Sequence, residues 1–337
     1  MLRRTRHTRH ARHLAACALF CALIARCETP PPPPEFPRPP ASVLETQIAL
    51  ARRNISCGSI DGAHGPKTRA ALLAFQEDQA LDATGLPDKA TLGALMLDAP
   101  PLTTRVITAA DLASLQPLSP TWLGKSRQTA LAHATALEMA AEQACSHPAL
   151  LRRLNPSVDW DNITPGAIIT IPDIAPATRA AATSAVATSA AASRADEKAA
   201  RLIISLGEHT LQARADDGRL LAHFPVSIAR AVEKRPVGTL RVKVIVPNPN
   251  YTFDPDIFPE SAEGRELGRK LILPPGPNNP VGLVWIGLDL PGYGIHGTPE
   301  PEKIGRAESH GCFRLANWDA LALLGLVETG AEVIVLP

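Results

Sequence analysis

Two short stretches near the carboxyl end of the chain hold the side chains best suited to making and breaking bonds. One is Tyr293-Gly294-Ile295-His296-Gly297-Thr298. The other runs from Ile304 to Leu315 and contains Ser309-His310-Gly311-Cys312-Phe313-Arg314. A cysteine among small and polar residues, with one histidine close by and another further back, is a candidate nucleophile with a candidate base. A free thiol has a pKa near ~8.5 and is mostly protonated at neutral pH. An imidazole within hydrogen-bond reach can take that proton and later deliver it to a leaving amine. Gly311 permits an unusual backbone angle and close substrate approach, so that amides beside Cys312 could face a developing oxyanion. Taken alone, His-Gly-Cys is a weak signal, and a buried inert cysteine is its default reading.

The elements that must position these residues have a strand-like period. Leu202–Leu206 reads as a buried strand. Thr210–Ala213 and Leu220–Ile228 flank Asp216-Asp217-Gly218, a hairpin turn signal. Leu240–Val246 alternates, Val281–Leu290 is a further run, and Glu332–Leu336 follows near the end. Asn317–Val327 is the one convincing helix here, with a cap expected at Asn317 or its neighbour. The expectation for 201–337 is a β-rich domain with helical decoration.

The longer pattern reverses the inert-cysteine default. Pro236-x-Gly238, Pro274-Pro275-Gly276-Pro277-Asn278-Asn279-Pro280-Val281-Gly282, Ile295-His296-Gly297-Thr298, Ser309 to Leu315 and Asn317-Trp318-Asp319 together resemble the L,D-transpeptidase catalytic domain of the YkuD family. The resemblance implies Cys312 as nucleophile and His296 as base and later acid, oriented by the backbone carbonyl of Gly297. It implies an oxyanion hole from the amides of Gly311 and Cys312, with Tyr293 as a further contributor. His310 would shape the loop and tune the thiolate, and Ser309 would order it. Arg314 either binds a stem-peptide carboxylate or stabilises the loop. Sequence adjacency favours His310 as the base, but residues two apart in a tight turn usually point apart. His209 and His223 lie on strand-like segments and read as surface or core residues.

Upstream the chain is modular. Residues 41–98 read as three short helices, with turn glycines in Cys57–Gly65. Ile60-Asp61-Gly62, Gly65, Thr68, Ala71, Phe75-Gln76, Leu81, Thr84-Gly85 and Thr91 resemble a peptidoglycan-binding three-helix module, with Phe75 as core. Residues 103–174 carry a helical pattern at Ala130–Ala144, a helix from Pro148 to Asn155-Pro156, a Pro165-Gly166 turn and a β-run Ala167–Pro172. This resembles the second half of a LysM glycan-binding repeat, without a clear opening strand. Residues 175–200, almost entirely Ala, Thr, Ser and Arg, read as a linker. The expected whole is a multidomain α+β chain of small modules joined by connectors.

The amino terminus reads as an address. Six arginines and no acid fall in residues 1–26, and Leu14–Ala25 is an apolar run. This is a secretory leader over 1–27, too short for an ordinary spanning helix of ~20 residues. A Pro-rich spacer, 28–40, follows. Cys27 stands where lipid attachment would occur, although Arg26 is a poor residue before such a cysteine. Without its first 26 residues the body holds 28 basic and 33 acidic side chains, a poor match to a nucleic-acid backbone. Cys57, Cys145 and Cys312 are too few for a disulfide framework, and pairing of Cys57 with Cys145 would cross two modules. No spacing supports a metal, and no cofactor is expected.

The family reading is an exported cysteine acyltransferase of the periplasm or cell envelope that acts in wall biogenesis, degradation and cell shape. Its partners would be peptidoglycan stem peptides and glycan, with the membrane reached only through an N-terminal lipid. The thioester would pass to a second stem, giving a 3→3 cross-link, or to water in an L,D-carboxypeptidase. A third option is attachment or release of a wall-linked lipoprotein. The rival from another class is a non-catalytic wall anchor.

Overall fold

The computed structural model describes residues 35–174, 197–257, 261–309 and 311–337. The expected leader with Cys27, the spacer up to Pro34 and the linker from 175 to 196 lie outside the described residues.

The first module is built from α1 (Val43–Ala51), α2 (Pro66–Asp78) and α3 (Lys89–Ala94). Ser42 and Asp88 cap the first and third through side-chain oxygens that accept from Glu45 and Thr91 amides. Two buried glutamines tie its loops. Gln47 accepts from the amides of Asp61 and Gly62 and donates to Thr68, while Gln76 accepts from Gly85 and donates to Thr91. The Asp61-Gly62 and Thr84-Gly85 signatures are therefore turns whose amides are satisfied by helix side chains. Phe75 is in the core.

The second module has a strand the sequence did not announce. β1 (Leu102–Val106) precedes α4 (Ala109–Ala113), α5 (Trp122–Ser126), α6 (Ala136–Gln143), α7 (Pro148–Leu154) and β2 (Ile168–Pro172). β1 pairs antiparallel with β2. It escaped notice because its residues are half-buried or exposed, so no apolar alternation marks it. The helix expected from Ala130 begins only after the Thr135 cap.

The third module contributes β3 (Arg201–Ser205), β4 (Thr210–Arg214), β5 (Leu220–Pro225), β6 (Ile228–Ala229), β7 (Gly238–Pro247) and β8 (Tyr251–Phe253). Then come α8 (Ala262–Leu267), β9 (Leu271–Leu273), β10 (Val284–Leu288), β11 (Gly294–His296) and β12 (Ala307–Ser309). β13 (Phe313–Arg314), α9 (Asn317–Leu326) and β14 (Glu332–Leu336) close the domain. Among the described residues an eight-stranded mixed sheet has the order β13-β11-β10-β7-β14-β3-β4-β5. Its core runs from Leu202 and Ile204 through Phe224 and Ile286 to Phe313, with α9 packed on it through Ala320 and Leu323. The N-cap of α9 is Ala316, the neighbour of Asn317, and it makes no side-chain capping bond.

The modules are not beads on a connector. Residues 36–337 form one compact unit. Phe36 to Pro40, expected as spacer, instead join the first module: Phe36 packs on its core, and Arg38 pairs with Glu45 and bridges Leu97. Residues 197–200, expected as linker, join the sheet domain through buried Ala199 and a Glu197–Arg219 ion pair. The outer edge of β5 is covered by the first module, where Ser56 donates to the His223 carbonyl and His223 to that of Asn54. His223 is a core residue, its ring held neutral by burial that lowers its pKa to about 4.

Where these modules meet, Asp319 of α9 is buried and accepts from Ser56 Oγ at 3.0 Å. Burial raises its pKa to about 8, opposed by that hydrogen bond and by the Lys67 charge. The folded state therefore keeps a proton that the unfolded chain gives up above its ordinary value of 3.8. Stability lost to this group grows as pH rises from about 4 to about 8, then levels off. Asp319→Asn is expected to raise the melting temperature at pH 8, with the gain shrinking steadily towards pH 5. Thermal unfolding across that range checks it; a pH-independent difference would contradict the buried, protonated acid.

Candidate active site

Strand register brings together the two stretches that the sequence singles out. β11 runs parallel to β13, with Ile295 opposite Phe313 and His296 opposite Arg314. Side chains alternate faces along a strand, so His296, Arg314 and Cys312, one position before Phe313, share one face. Trp285 of β10 stands directly opposite His296 in the antiparallel pair, and the rings stack with centroids 5.6 Å apart. β13 is fixed on its far side by a two-way backbone bridge between Ser227 and Arg314. Cys312, His296, Arg314 and Trp285 line one cavity of about 630 Å³. Sixteen positions of sequence are thus reduced to neighbouring strands.

The electrostatics of this face favour neutral partners. His296 is buried, and its Nδ1 lies 2.6 Å from the Gly297 carbonyl oxygen. A carbonyl only accepts, so Nδ1 carries the proton and Nε2 keeps the lone pair. Burial lowers the ring's pKa to about 4, against the smaller support of the Gly297 carbonyl for the charged form. Burial also raises the Cys312 thiol above its ordinary value, opposed by the Gly294 amide and the Arg314 charge. The thiol donates to the Gly292 carbonyl at 3.6 Å. At pH 7 both groups are therefore neutral.

Comparison with known proteins places this arrangement. Residues 199–335 match the family model described as the L,D-transpeptidase catalytic domain, YkuD. The chain carries a YkuD-family L,D-transpeptidase catalytic domain. Residues 40–95 match the model described as "Putative peptidoglycan binding domain". The "Putative L,D-transpeptidase YkuD" of Bacillus licheniformis is 27% identical over 199 residues, 59% of this chain and 92% of that protein. The "Putative L,D-transpeptidase in ATP synthase subunits region ORF 5" of Fuscovulum blasticum is 30% identical over 128 residues, 38% of this chain and 63% of that protein. Both matched domains are peptidoglycan-related: the catalytic one is that of an L,D-transpeptidase enzyme, and together they point to the cell envelope.

Other residues singled out in the sequence take varied positions in the L,D-transpeptidase domain. Tyr293 packs on Gly311, where an added Cβ would meet its ring at 3.6 Å, an ordinary contact. Gly311 is therefore not demanded by crowding from this neighbour. Arg314 points one edge into the cavity, while its buried Nε has no hydrogen-bond partner among the described residues. His310 and the side chain of Ser309 lie outside the described residues. Cys57 and Cys145 remain thiols away from this cavity, with Cys57 raised to about 12 chiefly by burial. Sequence reasoning missed Trp285, whose alternation with Gly287 opposite β11 was its available signal. It also missed Leu118, Trp122 and Lys125, which line the same cavity from the second module.

The Gly297 carbonyl is itself held from behind. The Gly297 amide donates to Val284, and the Asn317 side chain accepts from the Leu283 amide at 3.2 Å. Asn317 Nδ2 donates to Glu142 of the second module and to the Pro277 carbonyl. Gly282, at φ +62°, lies so close that a Cβ would collide with Asn317 Oδ1 and come within 2.6 Å of the Gly297 carbonyl carbon. Gly282→Ala is expected to move the carbonyl that orients His296. Displacements of this kind can cost ~10² in rate. Thiol acylation per folded molecule should fall by about that factor, together with a lower melting temperature. Unchanged acylation would show that the carbonyl's placement is immaterial.

Proposed function

We propose that this chain is an exported cysteine acyltransferase that forms 3→3 cross-links between peptidoglycan stems, with Cys312 as nucleophile and His296 as proton carrier. The observation that carries this reading is the single tautomer that the Gly297 carbonyl selects for His296, on the same face and cavity as the thiol. The Cys312 sulfur attacks the carbonyl of the third stem residue as its proton passes to His296 Nε2. The amides of Gly311 and Cys312 face the oxygen that gains charge. The carbon–nitrogen bond to the terminal D-alanine then breaks, and His296 returns the proton to the departing amine. This leaves a thioester. A side-chain amine of a second stem attacks it, its proton goes to His296, and Cys312 leaves as the thiol.

Arg314 lies beside the thiol and bears a positive charge toward the cavity, which supports a role in holding a stem-peptide carboxylate. The basic, apolar segment 1–27 supports export, and Cys27 is the residue that a lipid anchor would use. The antiparallel β1–β2 pair packed with α6 and α7 supports reading the second module as a LysM-like glycan contact.

Cys312→Ser keeps the shape but replaces the thiol by a far less acidic hydroxyl. Its cross-linking activity on purified muropeptides is expected to fall at least ~10³-fold, while Cys57→Ser and Cys145→Ser retain turnover. Intact-mass measurement after exposure to a carbapenem should find the adduct on Cys312 in the native protein and none in the serine variant. Near-normal dimer formation by Cys312→Ser would remove this residue from the mechanism. Tripeptide without dimer in the native reaction would make water the acceptor and the protein an L,D-carboxypeptidase.

A further inference from the structure

The cavity over Cys312 has a wall that the catalytic domain does not supply. Leu118, Trp122 and Lys125 line it, and all three belong to the stretch between α4 and α6 of the second module. This stretch is bound into the catalytic domain at several points. The Leu131 amide donates to the Pro275 carbonyl, and the Asn278 amide donates to the Leu131 carbonyl. Gly276 approaches so closely that a Cβ would lie 2.6 Å from the Leu131 carbonyl carbon. Leu131 is wholly buried in a small core with Phe253, Leu271 and Leu273, which come from the β8–β9 hairpin. Trp122 stacks on Phe253 at 4.4 Å, nearly parallel. The Glu263 carboxylate, on α8, accepts from the amides of both Trp122 and Leu123 at 2.8 Å. Hairpin and inserted stretch thus form one roof with a shared core and a charged clasp.

The roof brings charge with it. Lys125 Nζ sits over the Trp122 ring, 5.2 Å from its centroid, and no carboxylate lies within ion-pair distance of it among the described residues. Among the described residues, the charged side chains lining the cavity are Lys125, Arg314 and Glu300. Glu300 is already paired with Lys303 at 2.6 Å, and His296 is neutral. The cavity therefore presents two cations and one compensated acid. A ring beneath an ammonium narrows where it can go, so Lys125 loses less freedom on binding an anion than an unsupported lysine would.

We infer that the stretch between α4 and α6 is part of the catalytic domain's substrate site, and that Lys125, seated on Trp122, binds a non-reacting carboxylate of the peptide held over Cys312. The inference rests on the proposed acyl-transfer reading and adds to it the recognition of an acidic donor by the second module. Glycan binding by that module is a separate matter, because these residues face the cavity and not the β1–β2 sheet.

The test uses the full chain and two synthetic stem tetrapeptides, one with its non-reacting carboxylates free and one with them amidated. Release of the terminal D-amino acid is followed for the native protein, Lys125→Met and Glu263→Gln. Lys125→Met keeps the apolar stem and removes only the charge. It is expected to lower kcat/KM on the acidic peptide about 5- to 20-fold, mainly through KM, and to lower the ratio of acidic to amidated peptide by about the same factor. Added salt should weaken the preference for the acidic peptide more in the native protein than in the variant. Glu263→Gln weakens the clasp on Trp122, the seat of Lys125, and should lower kcat/KM on both peptides, more on the acidic one. An unchanged preference in Lys125→Met, or an equal loss on both peptides in that variant, would overturn carboxylate recognition by Lys125 while leaving the acyl-transfer reading intact. A native protein that releases nothing from either peptide would overturn the acyl-transfer reading and this inference with it.

Discussion

A buried imidazole with a carbonyl oxygen 2.6 Å from one nitrogen has its tautomer chosen for it. In His296 that choice places the proton on Nδ1 and leaves Nε2 as the basic nitrogen. Burial lowers the ring's pKa to about 4 and raises that of the neighbouring thiol, so the two rest as a neutral pair. Such a pair stores no buried charge. The rest of the domain can be understood as the means of holding that one carbonyl. Gly282 closes against it, Asn317 beside it accepts from the Leu283 amide, and β10 carries Trp285 across the face of the ring.

That support reaches beyond the catalytic sheet. Asn317 is bonded to Glu142, the PPGPNNP stretch receives Leu131, and the first module covers the exposed edge of β5. The glycines and asparagines of the 274–282 stretch therefore serve two partners: the carbonyl behind His296 on one side and the roof on the other. Peptidoglycan-binding and catalytic domains joined in this way share polar contacts at the junction, including a carboxylic acid, Asp319, that the fold keeps protonated.

Much of this was legible in the sequence because it is local. Apolar runs, and alternation in Leu240–Val246, located most of the long strands, Asp216-Asp217-Gly218 located the β4–β5 hairpin, and the His-Gly-Thr and Ser-His-Gly-Cys motifs marked both strand ends of the site. What was not legible depends on partners remote in sequence. β1 has no apolar face of its own and exists through pairing with β2. The strands of the β8–β9 hairpin are three residues each, too short to carry a period. Trp122 and Lys125 sit in a loop-like Pro/Ser/Thr context, and the clasp to Glu263 and the stack on Phe253 bring them to the cavity. Asn317 resembled a helix cap in sequence, but its amide is committed to Glu142 and Pro277 instead.

The resting state of His296 is the point on which the account turns, and nitrogen-15 NMR of the ring reads it directly. In the full chain with labelled histidine, at pH 7 and without substrate, the His296 signals should be those of a neutral imidazole. Nδ1 should be protonated and Nε2 bare, with no titration until the pH approaches about 4. Signals of an imidazolium at pH 7, or of a neutral ring with its proton on Nε2, would contradict the neutral pair and the role given to the Gly297 carbonyl.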